Sequence, residues 1–330
     1  MTRKTLLLRL ALIPAVAIVG LGGAIAFGTA KPPPPMPSID GKAAIDGARE
    51  PLPSLSRFNA RDGTALAYRA YRPSALAVGA PVAVLIHGST GSSVNMNIVA
   101  NALAARGVPA YSPDIRGHGA SGERGDIDHI GQLEDDLTDL VSVIHRDYPG
   151  ARIVLAGHSS GGGFVLRAAA EPQGRQFSRF VLLAPYLGEG RPTTQPAAGG
   201  WNSAYVPRIV GLALLNRVGV TALNGLPTVA FATSPGRPTQ TWSYRLMLNF
   251  GPPGLTKLHG DPILMAAKAA HAPITVVAGA KDESMVPSAY PQAFAGVTPA
   301  VRVTILPGVG HMDLLSAPTA VPAVVDAITG

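Results

Sequence analysis

Six short apolar runs constrain the fold of this chain more than any other feature of its sequence. Each is apolar at successive rather than alternate positions, so both faces of the corresponding strand should be buried. The runs lie at residues 81–88, 107–119, 152–159, 179–185, 273–282 and 301–308. Helical patterns separate them, at residues 95–107, 132–150 and 162–171 and near the C-terminus. Strands alternating with helices predict an open α/β fold with a mostly parallel sheet flanked by helices.

Two segments extend this basic pattern. Two further strands are expected around the turn Asp62-Gly63. Residues 186–262 break the alternation, are rich in Gly and Pro, and hold both tryptophans, Trp201 and Trp242. Because so long a connection is too large for a simple loop, we expect a cap inserted between strands 6 and 7 of the sheet. A packing extension without a role in binding is the alternative.

The N-terminus predicts a membrane segment. A basic start with Arg3, Lys4 and Arg9 precedes 21 uncharged residues at 10–30, close to the length of about 20 that spans a bilayer. Positive charge stays in the cytoplasm, so the body of the protein is expected on the extracytoplasmic side. A signal peptide cleaved near Ala30 is the alternative. The predicted organisation is therefore an anchor or signal at 1–30, a Pro-rich linker at 31–53 and a folded domain at 54–330.

Composition excludes several classes of protein. Hydrophobic residues make up 47% of the chain and charged residues 14%, which excludes a disordered protein. The net charge is +7, but the basic residues are scattered, so no nucleic-acid partner is expected. The chain has no cysteine, which excludes disulfides and thiolate chemistry. No His/Asp/Glu cluster has metal-ligand spacing, so neither a metal nor another cofactor is expected.

The stretch "AGHSSGGG" at residues 156–163 points to nucleophilic catalysis. It follows an apolar strand and precedes a helix, the context in which G-x-S-x-G forms a nucleophile elbow. Ser159 stands at the nucleophile position of this motif. Ser160 comes one residue later, where its main-chain N–H can donate to a developing oxyanion. The alternative is a plain Gly-Ser turn.

A serine nucleophile needs a base and an acid that orients the base. Asp282 follows the strand at 273–279 and His311 follows the next strand, so both should reach the sheet edge that carries Ser159. Glu283 is the alternative acid, and Asp313 is expected to cap the last helix. His87 also follows a strand, but we expect it to brace a loop rather than to act as the base.

The motifs "VLIHGST", "SPDIRGHGASG", "LAGHSSGGG", "AGAKDESMVP" and "LPGVGHMDLL" occur in an order and spacing that resemble the α/β-hydrolase superfamily. The similarity covers roughly residues 54–330 and is closest to the branch of monoacylglycerol lipases, lysophospholipases and serine-aminopeptidase-like hydrolases. It implies that Ser89 supplies a second oxyanion N–H beside Ser160. It also implies a serine hydrolase that cleaves small-molecule carboxylic esters with a lipid-like acyl group, through an acyl-enzyme on Ser159.

Two alternatives of function remain open at this stage. An aminopeptidase or amidase of the same fold needs carboxylates to hold a substrate ammonium, and residues 186–261 offer only Glu189 and Asp261. The apolar, aromatic and mildly basic insert is better suited to acyl esters. A non-catalytic ligand-binding or interaction protein on a hydrolase scaffold is the alternative of another class. The sequence does not indicate the oligomeric state.

Overall fold

The apolar runs of the sequence lie in one eight-stranded sheet. The computed structural model describes residues 20, 22–23, 25–40, 42–235, 240–250 and 261–330. In chain order the strands are β1 (Ser56–Asn59), β2 (Ala65–Tyr71), β3 (Val82–Ile86), β4 (Ala110–Pro113), β5 (Ile153–His158), β6 (Arg179–Leu183), β7 (Asn202–Ala204), β8 (Pro227–Phe231), β9 (Thr241–Ser243), β10 (Ile274–Gly279) and β11 (Arg302–Leu306).

The main sheet has the strand order β1-β2-β4-β3-β5-β6-β10-β11. The strands from β4 to β11 in this order pair in parallel, so their carboxyl ends meet at one edge of the sheet. The first two strands pair antiparallel around the predicted turn at Asp62-Gly63. Every residue of β3 and β5 is buried, as expected for strands covered on both faces. The predicted α/β fold with a mostly parallel sheet flanked by helices is therefore confirmed.

Helices cover both faces of the main sheet or belong to the segment inserted into it. They are α1 (Lys42–Gly47), α2 (Asn97–Ala105), α3 (Gln132–Asp147), α4 (Ser160–Ala170), α5 (Val206–Arg217), α6 (Tyr244–Phe250), α7 (Pro262–Ala269), α8 (Tyr290–Ala293) and α9 (Val321–Thr329). Short 3-10 helices lie at Ser93–Met96, Pro172–Gln176, Pro287–Ala289 and Met312–Leu315, and a tight turn lies at Ala197–Gly200. The helix α3 carries acidic residues in its first turn and basic residues in its last, which complements the helix dipole.

The segment between β6 and β10 forms a second, antiparallel sheet of the three strands β7, β8 and β9. A chain of aromatic rings joins this insert to the main sheet. Phe231 packs edge-on against Trp242 at 4.8 Å between centroids, and Trp242 stacks on Phe250 at 4.3 Å. The indole of Trp242 also donates to the buried ring of His118, which follows β4. The insert is thus fixed to the body of the protein by its aromatic residues.

The predicted N-terminal membrane segment is corrected by the structure. No helix of the described residues is both long and apolar enough to cross a bilayer. Most of residues 10–30 lies outside the described residues. Where the end of this segment is described, Ile25 is buried in an apolar cluster with Leu212 of α5 and Tyr244 of α6. The predicted anchor or signal, and the extracytoplasmic location that depended on it, are therefore wrong and are not carried further.

A buried ion pair fixes the loop after β4. The guanidinium of Arg116 donates to both carboxylate oxygens of Asp136 on α3, at 2.7 and 2.8 Å, and pairs with Asp62 of the β1–β2 turn at 2.9 Å. The side chain of Arg116 is 4% exposed. This arginine therefore ties the β1–β2 hairpin and α3 to the loop that leaves the parallel sheet.

We predict that Arg116→Met lowers the free energy of unfolding by about 3 kcal/mol or more, because Asp136 would keep a buried charge without its partner. Arg72→Met is the matched control, since the pair of Arg72 with Asp147 is largely exposed and should contribute less than about 1 kcal/mol. Urea denaturation of both variants measures the difference. Equal losses of unfolding free energy in the two variants would contradict a stabilising role for the buried ion pair of Arg116.

Candidate active site

Ser159 occupies a strained turn between β5 and α4. Its φ of 56° and ψ of −122° lie in a region that residues other than glycine rarely adopt. The turn is held from both sides, because the Ser159 N–H donates to Leu183 O at 2.9 Å and its carbonyl accepts from Tyr186 N at 2.9 Å. The predicted nucleophile position thus shows the geometry of an elbow.

The dense glycines around Ser159 allow backbones to approach closely. A Cβ on Gly157 would lie 2.4 Å from Gly161 O, and one on Gly161 would lie 2.4 Å from His87 O. Both distances are too short for any side chain. The glycines therefore let α4 begin directly against the ends of β3 and β5, and this close approach places Ser159 at the carboxyl edge of the sheet.

Ser160 is the first residue of α4, so its N–H belongs to the group of helix N-terminal donors that lack an intrahelical acceptor. Its hydroxyl is buried and has no hydrogen-bond partner within the described part of the protein. The role of its main-chain N–H as an oxyanion donor, expected from the sequence, stays a prediction.

His311 and Asp282 form a buried pair. Nδ1 of His311 lies 2.8 Å from Oδ2 of Asp282, and the two side chains are 2% and 0% exposed. The other oxygen of Asp282 accepts from the N–H groups of Ser284 and Met285 at 2.8 and 2.7 Å. Burial raises the pKa of Asp282, but His311 and these two N–H groups outweigh it, so the pKa lies below its usual range. Asp282 is thus held as a carboxylate that orients the imidazole.

The two neighbouring acids have other partners. The carboxylate of Glu283, the alternative acid, accepts from the main-chain N–H of His311 at 3.0 Å. Asp313 accepts from Gly310 N at 3.0 Å and from Lys42 Nζ at 2.8 Å. The expected capping of the last helix by Asp313 is therefore not seen, because α9 begins after Ala320. Both acids shape the loop that carries His311.

A second histidine supports His311 from behind. The ring centroid of His158 lies 4.6 Å from that of His311, and His158 Nε2 donates to the His311 carbonyl at 3.1 Å. Burial, with a smaller effect from His311, lowers the pKa of His158 to about 3. His158 is therefore neutral at physiological pH and adds no positive charge beside the base.

His87 and His118 brace the loops that follow β3 and β4. Nδ1 of His87 donates to Gly88 O at 2.7 Å, and Nε2 accepts from Ile115 N at 3.1 Å. His118 packs against His87 and accepts from Trp242 Nε1 at 3.1 Å. Burial lowers the pKa of both histidines, for His118 to about 3. His87 therefore supports the loop that carries Ser89, as expected, and is not a second base.

Ser89 connects this loop to the insert. Its hydroxyl oxygen accepts from the indole N–H of Trp201 at 2.9 Å. Trp201 is buried and precedes β7 directly, so the insert reaches the loop after β3. This contact is invisible in the sequence, where Trp201 is one aromatic residue of the insert among several.

A cavity of about 240 Å³ lies over Ser159. It is lined by Ile39, Asp40, Gly88, Ser89, Thr90, Gly91, Ser92, Asn95, Gly119, Arg124, His158, Ser159, Trp201, Thr233, Gln240, His311 and Met312. Ser159, His311 and Ser89 thus share one cavity, while Asp282 lies behind His311. Within the described residues no group of three His, Asp or Glu side chains is arranged to hold a metal ion.

Three arginines in the described part of the insert have partners outside the lining of this cavity. Arg245 pairs with Asp126 at 2.6 Å, and Arg191 pairs with Asp261 at 3.4 Å. The guanidinium of Arg208 donates to main-chain carbonyls, including Ile25 O at 2.9 Å. These three arginines fix the insert in place and do not line the cavity.

Comparison with known proteins agrees with this geometry. The family described as "Serine aminopeptidase, S33" (Hydrolase_4) matches residues 80–316. The chain belongs to this family. Its members are α/β-hydrolases, so the resemblance read from the sequence motifs is confirmed. The matched range includes Ser89, Ser159, Ser160, Asp282 and His311 and excludes residues 25–40.

Similar proteins include several monoglyceride lipases. A monoacylglycerol lipase of Mycolicibacterium smegmatis is 34% identical over 105 residues, which is 32% of this chain and 37% of that protein. The human monoglyceride lipase is 31% identical over 140 residues, 42% of this chain and 45% of that protein. The chain thus spans less than half the length of these curated relatives.

The fold is shared over a longer range. The crystal structure of a soluble variant of the Saccharomyces cerevisiae monoglyceride lipase, in complex with a substrate analog, has a TM-score of 0.60 to this chain. The similarity covers 84% of this chain and 94% of that one at 18% identity. At this identity the comparison establishes the hydrolase fold alone.

We predict that the buried histidines make the protein less stable as the pH falls from 7 to 5. An unfolded histidine has a pKa near 6.5 and takes up a proton in this range, whereas His118 and His158 with a pKa of about 3 do not. Each should therefore lower the free energy of unfolding at pH 5 by about 2 kcal/mol. Urea denaturation at both pH values measures the change.

The variant His158→Asn is the control for this prediction. It should show about 2 kcal/mol less pH dependence between pH 7 and 5 than the unmodified protein, whatever its absolute stability. An unchanged pH dependence would mean that His158 is protonated in the folded protein.

Proposed function

We propose that this protein is a serine hydrolase that cleaves carboxylic esters of the lipid type, through an acyl-enzyme on Ser159. The observation that carries the proposal is the strained turn at Ser159 in the same cavity as His311, whose ring is held by buried Asp282. Membership of the hydrolase family and the similarity to monoglyceride lipases support it.

Each proposed catalytic residue has one task. Because Nδ1 of His311 faces Asp282, its Nε2 is the nitrogen left to accept the Ser159 hydroxyl proton. The serine oxygen then attacks the ester carbonyl carbon, and the tetrahedral intermediate expels the alcohol, which takes the proton from His311. Water repeats the sequence on the acyl-enzyme and releases the acid. Asp282 keeps the imidazole in the required tautomer and stabilises its charged form.

The oxyanion is proposed to accept from the main-chain N–H groups of Ser160 and Ser89. The N–H of Ser160 begins α4, where the helix dipole adds to its effect. Ser89 lines the same cavity as Ser159, in the loop that His87 braces. One donor at the start of α4 and one in the loop after β3 can therefore point to the position that the carbonyl oxygen would occupy.

The substrate is proposed to be a small acyl ester with a polar alcohol portion. Ile39, Trp201 and Met312 supply apolar surface to the cavity, whereas Asn95, Arg124 and Gln240 supply polar groups. In this view residues 186–262 act as a cap on the domain at 54–330, since Trp201, Thr233 and Gln240 reach the cavity from the insert.

Hydrolysis of amino-terminal amides is the second candidate function. The insert offers few carboxylates that could hold a substrate ammonium. The structure brings a carboxylate to the cavity from a different segment, because Asp40 lines it. This observation and the description of the family support amide hydrolysis as the second candidate function.

The two adjacent serines provide a test with an internal control. We predict that Ser159→Ala lowers turnover of p-nitrophenyl esters by at least about 10³-fold, because the nucleophile is lost. Ser160→Ala should retain activity within about threefold, since its main-chain N–H remains and its hydroxyl has no partner in the described structure. The measurement is kcat/KM for acetate to palmitate esters, with aminoacyl-anilides in parallel.

Three outcomes separate the candidates. Ester turnover that is lost only in Ser159→Ala supports the proposed function. Faster cleavage of aminoacyl-anilides than of esters would support the amide candidate instead. Activity that survives in Ser159→Ala would contradict both.

The Ser89 hydroxyl is tested separately from its N–H. We predict that Ser89→Ala and Trp201→Phe each lower kcat/KM by less than about tenfold and to a similar extent, because both remove the same hydrogen bond between the loop and the insert. If the hydroxyl is itself an oxyanion donor, Ser89→Ala alone should lower kcat by about 10²-fold or more. Steady-state kinetics with a single ester distinguishes the two results.

A further inference from the structure

A segment that precedes the family's domain reaches the cavity. The matched family range begins at residue 80, yet Ile39 and Asp40 line the cavity together with Ser159 and His311. Both residues are buried, and Ile39 belongs to the main hydrophobic core. They lie in a segment that the sequence predicts to be an extended, Pro-rich linker. We call residues 25–40 the N-terminal strap.

The first half of the strap is held by α5 of the insert. Arg208 donates to the carbonyls of Ile25 and Gly28, and the Tyr205 hydroxyl donates to the carbonyl of Phe27. Gly28 has a φ of 98°, and a Cβ there would lie 2.4 Å from the Tyr205 hydroxyl oxygen. This part of the strap therefore has a defined path across the insert.

The second half of the strap joins the insert where the insert reaches the cavity. The N–H of Met36 donates to Ala232 O at 3.2 Å, and the Asp40 carboxylate accepts from Ser234 N at 2.6 Å. A tight turn brings Ile39 N and Asp40 N onto Met36 O at 3.0 and 2.9 Å. The turn fixes which way Ile39 and Asp40 face, because both ends of it are bonded.

The chain then connects to the loop of the proposed base. Lys42 at the start of α1 donates to Asp313 at 2.8 Å, and the other oxygen of Asp313 accepts from Gly310 N. His311 lies between Gly310 and Asp313 in the chain. The helix α1 ends at Gly47, whose carbonyl accepts from the buried Asn97 side chain at 2.6 Å. The turn at Met36–Asp40 is thus bounded by the insert on one side and by the His311 loop on the other.

We propose that the strap forms one wall of the substrate site and that Ile39 limits the size of the acyl group that fits beside Ser159. Ile39 is an apolar side chain on a turn fixed at both ends, so it does not withdraw without breaking these bonds. With Trp201 and Met312 it supplies the apolar side of a small cavity. This inference rests on the proposed role of Ser159, and it adds a specificity-determining residue from outside the family's domain.

The test changes the volume of Ile39 in the full chain. Ile39→Ala should raise kcat/KM for p-nitrophenyl octanoate relative to acetate by roughly tenfold, and Ile39→Phe should lower the same ratio by a similar factor. Ile39→Val, a smaller change in the core, should shift the ratio in the direction of alanine. The control is Ile45→Ala on α1, whose side chain is 56% exposed and should leave the ratio unchanged within twofold.

A second readout separates this inference from the proposed function. Labelling of Ser159 by methyl and decyl fluorophosphonates measures access to the serine without any assumption about the substrate, because the alkyl group stands for the acyl chain. The ratio of the two labelling rates should follow the Ile39 variants in the same order as the ester ratio.

The outcomes are then distinct. If the protein labels but hydrolyses no ester, the proposed function fails while the labelling ratio still decides the role of Ile39. If esters are hydrolysed and neither ratio moves in folded Ile39→Val and Ile39→Phe, the wall is overturned and the proposed function stands. Absence of both labelling and hydrolysis would overturn both.

Discussion

The close approach of three backbones at the end of β5 is the constraint on which the rest of the site depends. Gly157 packs against Gly161, and Gly161 packs against the carbonyl of His87, with no room for a Cβ at either glycine. These contacts hold the positive φ of Ser159, which would otherwise be an unfavourable conformation for a residue with a side chain. The same contacts bring the start of α4 beside the loop after β3, so both proposed oxyanion donors depend on them.

The histidine rings that surround this turn are held in the neutral form by burial. His158 supports the carbonyl of His311, while His87 and His118 support the loops that follow β3 and β4. Burial keeps the pKa of all three below the usual range for histidine. A positive charge on any of them would oppose the formation of an imidazolium on His311. The buried layer thus supports the proposed base mechanically and leaves its charge to be balanced by Asp282.

Local sequence patterns were enough to predict the parallel sheet and to predict which residues lie close together at its edge. A continuous apolar run reports burial on both faces, and the residue after such a run lies at the carboxyl edge, which is why Ser159 and His311 share a cavity and Asp282 stands behind. The structure of the N-terminus could not be predicted in the same way, because the uncharged run at 10–30 has the composition of a membrane segment. The packing of Ile25 on α5 and α6 depends on residues far away in the chain. Trp201 and Ile39 gave no signal for the same reason, since their partners are set by tertiary structure.

The strap also has a consequence for how the site is assembled. Asp40 bonds to a residue 194 positions later, and Lys42 to one 271 positions later. Closing a loop of this length carries an entropic cost, so we expect these two pairs to form after the sheet and the insert have condensed. The strap precedes the other cavity-lining segments in the chain, so it is synthesised before them. It is nevertheless expected to be the last of these segments to take its place in the cavity wall. Until then the protein would hold a folded sheet with an open cavity, and the final step of folding would also be the step that defines the shape of the site.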